Sequence, residues 1–251
     1  MLFIGIDLAW SPRNRTGGAI IREHQLLTAV GTVESNRDIV EFIANHLHPN
    51  EGAVVAVDAP LRVPNLTGAR TCDRDLSSDW RAYEAGALPA NRQLLTHEGE
   101  VRGEVLVDLL HTGLGFVETA PIPQQGRERY LCEIFPHPAH VSLFQLDKTL
   151  KYKAKPGRSL SMRRTVLQEY QQLLSTLATA TPPVYNVQEV VTEDISTLRG
   201  QALKAYEDTL DAITCAYTAL YLWTHGPAQT LVYGNVAEGH ILTPPLPVVS
   251  A

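Results

Sequence analysis

Acidic residues recur at the ends of apolar runs in this chain. Asp7 sits near the end of the run over residues 2–8, Asp58 directly follows the β-branched run 53–57, and Glu133 lies inside a third run over 130–135. A further pair comes late. In YEDTLDAITCAYTAL, Asp208 and Asp211 head a stripe continued by Ala212, Cys215 and Ala219, which three- and four-residue steps bring to one side of a helix. Ligand sites gather at strand ends, so these acids can converge although they are far apart in sequence. Unpaired buried carboxylates are costly, and a hard divalent cation neutralises them. The chemistry expected of the set is therefore a metal centre, with Mg2+ or Mn2+ favoured over zinc because every ligand is a carboxylate. Each acid also has a plainer role: Asp7 or Asp58 can cap a turn, Glu133 can pair with an arginine, and Glu207, Asp208 and Asp211 can form a solvated helix face.

Lys148, Lys151, Lys153, Lys155 and Arg158, followed by Arg163 and Arg164, form the one marked basic cluster on a chain of net charge -6. A phosphate would bind there, whether in a nucleic acid or a small phosphate ester; the alternative is a solvated loop before a helix. Arg70 and Arg74, with Asp73 between them, follow Asp58 and either bring positive charge to the site or hold the neighbouring region by ion pairs. His137 and His140 are three apart next to Glu133, but Pro136 and Pro138 are expected to break any helix that would align them. His137 alone is a candidate for proton transfer near Glu133.

The elements that must carry these groups follow from periodicity. Strands are expected over 2–8, 19–21 and 26–30, the first two separated by the turn Ser11–Asn14, which makes an antiparallel meander. Helical spacing over 34–47 leads to a buried strand over 53–57. Residues 60–127 are irregular and read as an insertion or cap with candidate helices over 77–85 and 98–111. A strand over 130–135, helices over 161–177 and 201–223, and short strands over 231–233 and 240–242 complete the chain.

The 251 residues are 44% hydrophobic and 19% charged, a composition that suits a compact globule of one large domain or two small ones, and the order of elements favours one domain over 1–251. Net negative charge argues against a surface that coats nucleic acid, so any such contact is local. No run approaches a membrane span and no basic region precedes a hydrophobic run at the N-terminus, so a cytoplasmic location is expected. Cys72, Cys132 and Cys215 are too scattered for a disulfide framework or zinc site and read as small buried residues.

GIDLAW, VAVDAPL, GARTCDRDL, EIFPHPA, LKYKAKPGR and YEDTLDAITCAYTAL, in this order, resemble a bacterial and archaeal family of predicted ribonuclease H-like nucleases, over nearly the whole chain. The resemblance implies a ribonuclease H-like α/β fold: an antiparallel three-strand meander, then parallel strands, flanked by helices. It further implies that Asp7 bridges two Mg2+ or Mn2+ ions whose shells Asp58, Asp208 and Asp211 complete. The ions would activate water against a phosphodiester. Glu133 belongs only to the narrower family motif. Two other readings share the core. Actin-like ATPases and sugar kinases also begin with a G-I-D strand but use two such domains, and a non-catalytic binding module of this fold typically lacks an acid that is present here.

Overall fold

Residues 1–11 and 14–247 are described by the computed structural model; Pro12 and Arg13 of the expected first turn lie outside the described residues. The chain opens with the expected meander, β1 (Leu2–Asp7), β2 (Thr16–Arg22) and β3 (Gln25–Val33). Helix α1 (Asn36–Ala44) follows. Ser35 caps it by accepting the Asp38 N–H while the Asp38 carboxylate accepts the Ser35 N–H. Strand β4 (Ala53–Val57) then pairs in parallel with β1.

After β4 come α2 (Thr71–Asp79), α3 (Arg92–Leu95), the hairpin β5 (Thr96–His97) and β6 (Glu100–Val101), α4 (Arg102–Leu114) and β7 (Val117–Glu118). Next are β8 (Arg129–Glu133), α5 (Pro136–Phe144), α6 (Leu160–Ser175), α7 (Gln188–Val191), α8 (Gly200–His225), β9 (Leu231–Asn235) and β10 (Gly239–Thr243). The six-stranded sheet runs β3-β2-β1-β4-β8-β7, antiparallel through the meander and parallel from β1 onward. This is a mixed sheet of the ribonuclease H-like kind, flanked by helices.

Strand alternation divides the core in two. Leu2, Ile4 and Ile6 of β1, Val55 and Val57 of β4 and Leu131 of β8 pack with α1 and α4. Phe3 of β1, Val54 and Ala56 of β4 and Cys132 of β8 pack with α8 and α6. All three cysteines are buried and free. No helix among the described residues is long and apolar enough to cross a membrane.

Residues 60–127 are less separate than expected. The α4 side chains Leu106 and Leu110 belong to the core over the sheet, and β7 extends the sheet beside β8, so only the stretch before α4 forms a cap, and its α2 packs through Cys72, Leu76 and Trp80 on α5, β9 and β10. In that cap the helix lies at Thr71–Asp79 and not at 77–85, because Asp73 at its third position caps the Arg70 N–H and Cys72 and Leu76 face inward. The second candidate helix begins at Arg102, later than 98, since residues 96–101 form the β5–β6 hairpin.

Candidate active site

Asp7 ends β1 and Asp58 directly follows β4, and the parallel register that aligns Ile6 with Val57 brings the two acids side by side. By alternation both lie on the α8 face of the sheet, two residues beyond Gly5 and Ala56. Helix α8 comes unusually close there. A Cβ on Gly5 would stand 2.0 Å from the Ala212 carbonyl oxygen, and one on Gly17 2.0 Å from that of Asp208, so only glycine lets the helix backbone rest on the strands. The small-residue stripe read from the sequence is this contact surface. It carries Asp208 and Asp211 to the strand ends, and both are buried.

The carboxylates perturb one another. Burial and the neighbouring Asp211 raise the Asp7 carboxyl, and burial and Asp7 raise that of Asp58 well above its usual range. Burial and Asp7 push Asp208 up to about 8, and the two carboxyls share a hydrogen bond. Burial acts on Asp211 in the same sense, but the Lys153 ammonium, 2.9 Å from Oδ2, and the Tyr152 hydroxyl hold it below the ordinary value. Tyr152 donates to Asp211 Oδ1 at 2.5 Å, and the Tyr170 hydroxyl lies 3.3 Å from the same oxygen. Asp58 differs from its neighbours: among the described residues no hydrogen bond or ion pair reaches its side chain. Among the same residues, no group of three or more His, Cys, Asp or Glu side chains stands ready to hold a metal ion.

Asp7 and Asp58 open on a cavity of about 280 Å³ whose other walls include Lys151, Lys153, Lys155, Arg158, His137, Trp10 and Phe135. The basic cluster thus faces the acids. Lys151 pairs with Glu84, Lys155 is exposed, and Arg158 Nη1 donates to the Lys153 carbonyl at 3.1 Å. Asp208 turns to Lys204 one helical turn back and borders a different cavity, of about 310 Å³, with Arg15 and Gln201. A larger cavity, about 540 Å³ between Ser35 and the β5–β6 hairpin, contains none of the candidate acids.

Three expectations are corrected. Glu133 aligns with Val57, one residue out of phase with Asp58, so it lies outside the cavity that Asp7 and Asp58 share with the lysines, and Ile134 stands where a third strand-end acid would point; Glu133 meets Asp58 only across a small pocket of about 60 Å³ that Arg70 also lines. There Glu133 is held by Arg70, Nη2 to Oε1 at 2.5 Å and Nη1 to Oε2 at 2.8 Å, and by the Leu61 N–H at 2.9 Å. Arg70 is consequently buried and committed to Glu133 and Asp73, the ion-pair alternative, and Arg74 is exposed outside the acid cavity, donating to the Ala69 carbonyl. Pro136 and Pro138 do not break a helix. They begin α5, whose first-turn N–H groups have no intrahelical partner to lose, and His137 and His140 lie one turn apart with ring centroids 6.0 Å apart.

His137 lines the acid cavity and bonds through Nδ1 to Thr149 Oγ1 at 2.8 Å; burial keeps its ring neutral, with a pKa well below the usual value. Behind it, His140 meets the Tyr170 hydroxyl at 2.7 Å, and burial lowers it to about 4. The sequence reading missed Tyr152 and Tyr170, which orient Asp211. Tyr152 was visible only as the one aromatic inside the basic cluster, and Tyr170 as part of an apolar helix face.

No curated protein and no solved structure is significantly similar to the chain. The sequence model of one family, described as a protein of unknown function (DUF429), matches residues 5–236, and the chain belongs to that family.

Proposed function

We propose that this protein is a divalent-metal-dependent phosphodiester hydrolase, a nuclease or a phosphodiesterase of smaller esters. The observation that carries the reading is one cavity walled by Asp7 and Asp58 on one side and by Lys151, Lys153, Lys155 and Arg158 on the other. The donor chemistry fits Mg2+ or Mn2+. Mg2+ is usually bound through one or two carboxylates, retained waters and the substrate's own phosphate, so a ready-made cage of three acids is not required. Asp58, a carboxylate without a hydrogen-bond or ion-pair partner among the described residues, and Asp7, raised by burial and by Asp211, are the residues that would hold the ion. When bound, it would supply Lewis acidity and an activated water. The chain's own contribution is positional: Asp211 is fixed by two tyrosines, and the lysines and Arg158 would orient the phosphate. His137, neutral and open to the cavity, could carry a proton to the leaving oxygen only if substrate binding raises its pKa.

Hydrolysis of bis(p-nitrophenyl) phosphate and of end-labelled DNA and RNA, with Mn2+ or EDTA, tests the reading. Metal-dependent cleavage by the wild type and its loss by at least about 100-fold in Asp58→Asn are expected, on the scale of removing a group that stabilises transition-state charge. Absence of metal-dependent cleavage of every diester, or full activity in Asp58→Asn, contradicts it.

A further inference from the structure

The acid cluster already contains a cation. Lys153 Nζ lies 2.9 Å from Asp211 Oδ2, and its charge is also felt by Asp7 and Asp58. Nor does it reach in from a loose surface loop. The Arg158 guanidinium holds the Lys153 carbonyl at 3.1 Å, and Arg163 Nε holds the Tyr152 carbonyl at 2.9 Å. The Tyr152 hydroxyl is bonded to Asp211 itself, the Thr149 N–H donates to Tyr83 at 2.9 Å, and Lys148 and Lys151 both pair with Glu84. The segment on both sides of Lys153 is thereby tied to the cap, to α6 and to α8.

A two-ion centre needs its cations about 3.5–4 Å apart, each with its own carboxylates. On the Asp211 side that requirement is already met by an ammonium, a compact point charge with three donors. On the opposite side Asp58 has no hydrogen-bond or ion-pair partner among the described residues. Resting on the proposed phosphodiesterase reading, we infer that the Lys153 ammonium takes the place of one of the two cations, leaving a single divalent-ion site at Asp7 and Asp58. Asp211 is then the counter-ion of Lys153, and Nζ retains donors that a substrate phosphate oxygen can accept.

The test is the number of Mn2+ ions bound per chain, by isothermal titration calorimetry and by the electron paramagnetic resonance signal of free Mn2+, without substrate. Wild type and Lys153→Arg are expected to bind one ion, and Lys153→Met one more than wild type. Because Lys153→Met leaves Asp211 buried and uncompensated, Lys153→Met/Asp211→Asn serves as the variant that preserves charge balance; it is expected to keep the single ion with its affinity changed less than about threefold. Asp211→Asn alone leaves Lys153 unbalanced next to Asp7 and Asp58, and its Mn2+ affinity is expected to fall at least about tenfold. Two ions on the wild type, or loss of the ion in the double variant, overturn the inference while leaving a metal-dependent reading intact. No ion on any of these proteins removes that reading, and the inference with it.

Discussion

Replacing Arg70 by leucine separates a structural role from a substrate-binding one. The guanidinium is buried between Glu133 and Asp73 and also donates to the Arg62 carbonyl at 3.1 Å. Its removal leaves Glu133 with the Leu61 N–H and no counter-ion; burial already pushes that carboxyl up against the pull of Arg70. Breaking a buried pair from one side costs about 3–5 kcal/mol, because the remaining charge is uncompensated. For 251 residues at about 2.1 cal/mol/K per residue, the unfolding entropy is about 0.5 kcal/mol/K, so Tm should fall by roughly 6–10 °C. Thermal unfolding by circular dichroism at pH 7 reads the shift. Arg70→Leu/Glu133→Leu, which removes both charges, should recover part of it. Mn2+ affinity of the folded Arg70→Leu/Glu133→Leu protein should stay near wild type, since neither residue lines the cavity shared by Asp7 and the lysines and no unpaired Glu133 charge is left beside Asp58. A Tm within about 2 °C of wild type would refute the reasoning.

Asp208 is protonated in the folded protein up to about 8 and ordinarily ionises near 3.8, so the native state holds the extra proton between those values and this group's contribution to stability falls as pH rises through that window. Asp208→Asn should therefore raise Tm in EDTA by an amount that grows from pH 4 to pH 8; a gain independent of pH contradicts the assignment. Tyr152→Phe removes a donor to a charged acceptor and should cost about 1.5–3 kcal/mol in denaturant unfolding, together with a drop in diester hydrolysis as Asp211 loses its orientation. Gly5→Ala forces α8 off β1 and should cost at least the ~1–3 kcal/mol of an overpacked core, measured by urea unfolding, with weakened Mn2+ binding.

Much of this architecture was legible because the relevant signals are local. The Ile and Val runs of β1 and β4 announce buried strands, and the Ala and Cys stripe of α8 announces close contact with them. Asp7, Asp58 and Asp211 follow from those elements. The place of Glu133 was not legible because nearness to a strand end carries no phase: pairing with Val57 sets it outside the cavity of Asp7 and the lysines and against Arg70, and a one-residue shift decides the face. Helix α5 was hidden because prolines that interrupt a helix interior are equally at home in its first turn. The roles of Lys153 and Arg70 depend on partners far away in the sequence, Asp211 and Glu133, which no spacing rule pairs.

The central claim, a divalent-ion site built from Asp7 and Asp58, is tested most directly by an anomalous difference map from crystals soaked in Mn2+. A single peak within about 2.0–2.4 Å of carboxylate oxygens of Asp7 and Asp58, with Lys153 still on Asp211, is the expected result. Absence of a peak at these two acids at saturating Mn2+, or a peak only elsewhere, would contradict it.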